Sequence, residues 1–178
     1  MPSSREITGK RAGNDGKQEM TGTSRRLNAD AARDRFERAL DEHEQVFERF
    51  FLARLLGLEF AYLPEEAPAP RKESSRISFE ITEMMMNPQG VLHGGIMAMV
   101  MDISMGHLVN KTAGPGATIE MKIQFMRPVG AGQAVCEGSF LKRGRSLSFM
   151  ESRFYGPDGK LAGLATATWK TPESQPGG

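Results

Sequence analysis

The chain has 178 residues, a formal net charge of +1 and a single cysteine, Cys136. That length suits one domain with one sizeable core, and the near-neutral charge gives no footprint for nucleic acid or an anionic membrane. A lone cysteine excludes an intrachain disulfide and fits a reducing compartment, so Cys136 reads as a packing residue. The opening segment, "MPSSREITGKRAGNDGKQEMTGTSRR", has no apolar core of a secretory signal and carries three acids. Residues 1–25 bury too little apolar surface to offset their ordering entropy and read as a disordered tail. Residues 26–56 read as an N-terminal helical segment. Phe36, Leu40, His43, Phe47, Phe50 and Leu55 recur at near-helical spacings, as one amphipathic helix or two segments, and Gly57 is a plausible stop.

A Pro-rich loop, "PEEAPAPRKESS" at 64–75, follows. Beyond it the period falls to two. "RISFEIT" alternates as a strand. "TIEMKIQFM" alternates with Ile119, Met121, Ile123 and Phe125 on one face. "QAVCEGSFLKR", "SLSFMESRFY" and "KLAGLATATWK" supply three more strands, joined by tight turns at "GRS" and "GPDG", as an antiparallel meander. Between the first strand and the other four lies "GGIMAMVMDISMGHLV", apolar on nearly every face of a helix and too short to span a bilayer. The pattern predicts an α+β fold in which a five-stranded antiparallel sheet wraps one central apolar helix. Residues 57–172 form this domain and 173–178 a flexible tail. Unpaired sheet edges and an incompletely covered helix predict at least a dimer. A soluble, cytoplasmic protein is expected.

Asp102 is the anomaly of that helix. Burying an unpaired carboxylate costs several kcal/mol and raises its pKa, so Asp102 is either paired structurally or kept for chemistry. His93, Gly94 and Gly95 bear on the choice. A Gly pair opening a helix admits a close ligand, and the first N–H groups of the helix stabilise a developing oxyanion. Gly94 and Asp102 are eight residues apart, or about 12 Å along one helix. A base and an oxyanion donor must both reach the same carbonyl group, so two copies related by a two-fold axis meet the requirement more easily than one chain.

The run "NPQGVLHGG" followed by "IMAMVMD" resembles the hotdog-fold acyl-CoA thioesterases, in the PaaI-like branch named for the phenylacetate pathway. Asn87, Gly90, His93, Gly94, Gly95 and Asp102 carry the resemblance, which extends over roughly residues 50–172. It implies hydrolysis of acyl-CoA to free acid and coenzyme A. Asp102 would activate water or attack the thioester itself, the Gly94 N–H would hold the oxyanion, and Asn87 would orient the thioester or the water. His93 would position the loop, and Thr118 would help hold the water. Gly95 would lie against the substrate. Lys142, Arg143 and Arg145 sit at a turn, facing either solvent or the phosphates of coenzyme A. No metal or redox cofactor is implied, and the partner is a second copy of the chain, as a homodimer or homotetramer. His107 and the methionines of the helix read as packing, although the methionines could also line an acyl tunnel. Two other readings compete: a hydratase or dehydratase on the same fold, and a non-catalytic acyl-CoA-binding module. Acyl specificity and the role of the N-terminal segment are not legible.

Overall fold

A computed structural model describes residues 27–63 and 73–171. The two expected tails, and residues 64–72 of the Pro-rich loop, lie outside the described residues. The N-terminal segment forms two helices, α1 (Ala29–Glu42) and α2 (Phe51–Leu56). Asn28 caps α1, its Oδ1 accepting from the Ala31 N–H at 3.1 Å. Gly57 ends α2 in the left-handed region at φ 65°, where a side chain would also strike the Arg35 guanidinium. Phe36 and Phe51 pack edge to face, 5.4 Å between centroids, and fold the two helices together. Residues 43–50 connect them without being helical. The Arg49–Glu44 ion pair at 2.8 Å and the Glu44 N–H to Arg49 carbonyl bond, also 2.8 Å, tie this connection to itself.

The sheet has six strands where five were expected: β1 (Glu59–Leu63), β2 (Ser74–Ile81), β3 (Ala117–Phe125), β4 (Gly132–Lys142), β5 (Leu147–Tyr155) and β6 (Leu161–Lys170). The extra strand is β1, five residues that pair antiparallel with β2. Strand order is β1-β2-β4-β5-β6-β3. Only β4, β5 and β6 form the expected meander. β3 precedes them in sequence but crosses to pair with β6, and so becomes the far edge.

The apolar helix α3 (Gly94–Ala113) lies across one face of this sheet. Val100, Met101, Met105, Leu108 and Val109 are fully buried against Ile77, Phe79, Met150 and Phe154. Burial of each large apolar side chain contributes about 1.5–3 kcal/mol. Small residues let helix and sheet touch. A Cβ on Gly138 of β4 would lie 2.7 Å from the Ser104 backbone carbonyl carbon. The Ser104 hydroxyl bonds the Met101 carbonyl at 2.7 Å and the Ser152 hydroxyl at 2.8 Å, so this polar residue is buried but paired. Cys136 lies in the same layer, and burial pushes its thiol up to about 11, as befits a packing residue. Among the described residues, no helix is long and apolar enough to cross a membrane.

Candidate active site

The loop before α3 is pinned at several points. The Leu92 N–H donates to the Val129 carbonyl at 2.8 Å and the His93 N–H to the Met85 carbonyl at 2.9 Å. Asn87 organises the turn itself: its Oδ1 accepts from the Gln89 N–H at 3.0 Å and the Val91 N–H at 3.3 Å. Gly90, at φ 76°, makes the reversal. His93 is the N-cap of α3, its Nδ1 accepting from the Gly95 N–H at 2.9 Å. That bond fixes the proton on Nε2 in the neutral ring. A Cβ on Gly95 would come within 3.0 Å of His93 Nδ1, so the cap itself favours glycine there. With the Gly95 N–H taken, the Gly94 N–H is the donor left at this helix end.

α3 runs unbroken through Asp102, so Gly94 and Asp102 stand about 12 Å apart along one axis. Asp102 is half-buried, and its Oδ1 accepts from the Thr118 hydroxyl at 2.8 Å. Burial raises its pKa, and the Thr118 bond opposes that rise. Thr118 reaches Asp102 because of a bulge. In the β3–β6 ladder Thr118 opposes Trp169 and Glu120 opposes Thr168, so Ile119 is the extra residue. The bulge shifts parity by one. Thr118 therefore shares a face with Met121 and Ile123, while Ile119, expected on that face, is 58% exposed.

Asp102 and Thr118 line a cavity of about 420 Å³. Ile103, Gly106 and His107 of α3, Gly116 and Ala117 before Thr118, and Trp169 of β6 continue its wall. Gln45, Val46, Phe47 and Phe50 of the α1–α2 connection close another side. His107, read from sequence as packing, is indeed buried, but it also lines this cavity. Its Nδ1 lies 3.2 Å from the Tyr62 hydroxyl, and Phe60 stacks on it at 4.1 Å. Burial lowers its pKa, against the pull of Glu48 and the Phe47 backbone.

The structure thus brings Asp102 and Thr118 together, and Asn87, His93, Gly94 and Gly95 together, as two half-sites on one chain. Lys142, Arg143 and Arg145 join neither. Arg143 donates to the Thr112 carbonyl at the far end of α3 and pairs with Glu73 at 3.8 Å. Thr112 lies ten residues beyond Asp102, about 15 Å along the helix. Among the described residues there is no cluster of His, Cys, Asp and Glu suited to a metal ion.

Residues 89–162, which span the Gly pair, Asp102 and Thr118, match the model of the thioesterase superfamily. This segment of the chain is similar to the thioesterase superfamily. A protein of Saccharolobus solfataricus named as an esterase is 38% identical over 82 residues, covering 45% of this chain and 59% of its own length. Acyl-coenzyme A thioesterase 13 of Mus musculus is 32% identical over 73 residues, covering 39% of this chain and 52% of its own. This chain therefore spans little more than half the length of either relative. Among solved structures, a phenylacetic acid degradation-related protein of Ralstonia eutropha JMP134 superposes with a TM-score of 0.61 at 26% identity, covering 77% of this chain and 99% of that one. The E. coli PaaI protein superposes with a TM-score of 0.62 at 16% identity, covering 77% and 95%. The fold is the hotdog fold of these neighbours, an antiparallel sheet with one long central helix, preceded here by the N-terminal helices.

Proposed function

We propose that the protein hydrolyses acyl-CoA thioesters at Asp102. The observation that carries this reading is a half-buried carboxylate of raised pKa, bonded to Thr118 in an apolar-walled cavity, within the segment that matches the thioesterase superfamily. A relative named for acyl-coenzyme A supports the substrate class. Asp102 in its ionised form takes a proton from water as the oxygen attacks the thioester carbonyl. The Thr118 hydroxyl, fixed on Oδ1, leaves the second carboxylate oxygen to meet the water. The tetrahedral oxyanion is held by the Gly94 N–H at the positive end of a helix. The C–S bond then breaks, and Asp102 returns its proton to the departing thiolate. Direct attack by Asp102 uses the same contacts and passes through an anhydride, which water then opens.

The two half-sites on one chain point to a dimer. β3 is a sheet edge with Ile119 and Phe125, and Met126 just beyond its end, more than half exposed. Gly94 lies against the Phe125 ring at one end of β3, and Asp102 is bonded to Thr118 at the other. Antiparallel pairing of β3 with its copy, centred near Met121, sets Phe125 of one protomer close to Thr118 of its partner. Gly94 and its loop then face Asp102 across the two-fold axis, and two equal sites arise. Asn87, through its amide nitrogen, and His93, through Nε2–H, supply further donors from the loop side. Lys142 and Arg145, exposed near the turn, are proposed contacts for coenzyme A phosphates reaching outward. Hydrolysis of acyl-CoA by the purified protein, and its loss in Asp102→Asn, tests the reading.

A further inference from the structure

The family match begins at residue 89, yet the cavity around Asp102 is closed on one side by residues 45–50. We propose that this connection between α1 and α2 is the wall that sets acyl-chain selectivity, and that His107 is the positioning residue holding it against α3. The inference rests on reading the Asp102 cavity as a thioester site.

The wall is apolar. Val46, Phe47 and Phe50 face the cavity together with Ile103 and Trp169, while Asp102 and Thr118 mark the place of the reacting carbonyl. Val46 and Phe47 remain 45% and 39% exposed, so apolar surface is left for a ligand to cover. Such a surface suits the acyl group and not the charged nucleotide of coenzyme A.

His107 fastens this wall by a closed ring of contacts. Phe47 meets its ring edge-on at 5.5 Å and Phe50 lies at 6.5 Å. Phe60 of β1 stacks on it. The Tyr62 hydroxyl, 3.2 Å from its Nδ1, donates to Glu48 Oε1 at 3.3 Å, back in the connection. The chain of contacts therefore runs from α3 through β1 to residue 48, and from α3 directly to residues 47 and 50. The connection has no helix or strand of its own to fix it, so these contacts set its position. His107 follows Asp102 by five residues, about 7.5 Å along the helix. The favoured substrates are apolar acyl groups short enough to end at this wall.

The test reads binding as well as turnover. Trp169 is the one tryptophan of the chain and lines the cavity, so its fluorescence reports occupancy. In the full-length Asp102→Asn protein, Kd is measured for butyryl-, octanoyl- and dodecanoyl-CoA and for coenzyme A alone. Phe47→Ala should raise the preference for dodecanoyl over butyryl at least tenfold while leaving coenzyme A binding within about twofold, and Phe47→Leu should fall between. His107→Leu should collapse the chain-length ratio, and His107→Gln, which still bonds Tyr62, should restore it. A lesion of general stability would weaken all chain lengths alike. Unchanged ratios in both Phe47 variants would overturn the wall. Shifted ratios in a protein that hydrolyses no acyl-CoA would leave the wall standing and retire the hydrolase reading.

Discussion

Replacing Thr118 by Val removes a hydroxyl and keeps the shape of the side chain. The bond it deletes, 2.8 Å to Asp102 Oδ1, favours the ionised carboxylate against the burial that disfavours it. A hydrogen bond to a charged group is worth about 1.5–3 kcal/mol, and Thr118 is exposed enough that the lower end applies. At about 1.4 kcal/mol per tenfold, its loss lowers the ionised-to-neutral ratio of Asp102 about tenfold at any pH where both forms are present. The catalytic form is the ionised one. Thr118→Val should therefore lose up to about tenfold in kcat/KM on the acid limb of the pH profile, with the limb displaced to higher pH. The loss should shrink as pH rises and Asp102 ionises in both proteins. A pH series of free-thiol release from a good acyl-CoA substrate gives this directly. An acid limb that does not move would refute Asp102 as the titrating base. A loss equal at every pH would show that the hydroxyl acts on the water or the substrate instead of on the carboxylate.

The raised pKa of Asp102 also has a sign for stability. The folded state holds the proton more tightly than the unfolded chain, so ionisation costs native stability as pH rises from the ordinary carboxylate range through the folded value. Asp102→Asn should melt above wild type at pH 8 and close to it at pH 4, by calorimetry; a lower melting temperature at pH 8 would contradict the burial argument. Gly138→Ala drives a Cβ into the Ser104 backbone, where no flexible atom can yield. Overpacking of about 1–3 kcal/mol should lower Tm by roughly 2–12 °C for a chain of this size and reduce turnover by displacing α3; unchanged Tm would mean that helix and sheet separate freely. Mixing Asp102→Asn protomers with Gly94→Pro protomers should restore part of the activity, since one site of each heterodimer regains both halves. No rescue after verified subunit exchange would count against the shared site.

The central helix and the place of its one carboxylate were legible because they depend on residue types in strict local spacing. Gly94, Gly95 and the unbroken run to Asp102 fix a helix start and a buried acid without any tertiary information. The features that escaped are those set by long-range contacts. β1 is only five residues, and nothing but its partner β2 makes it a strand. The alternation of β3 correctly marked a strand but put Ile119 on the buried face, because a bulge leaves no trace in a two-residue period. The stretch "HEQVFERF", 43–50, contains no Gly or Pro, so its apolar residues continue a helical pattern. In the structure Phe47 and Phe50 meet His107 and Glu48 bonds Tyr62, contacts that a local pattern does not carry. His107 itself looked like packing because its partners come from residues 47, 50, 60 and 62, none near it in sequence.

The most direct measurement is free-thiol release from a panel of acyl-CoAs, acetyl to palmitoyl with phenylacetyl and hydroxybenzoyl, by the wild-type protein and by Asp102→Asn at matched fold and oligomeric state. Hydrolysis of at least one member by wild type, and its loss in the variant, is the expected result. Wild-type rates in Asp102→Asn, or no hydrolysis of any member by a protein that binds them tightly, would contradict it.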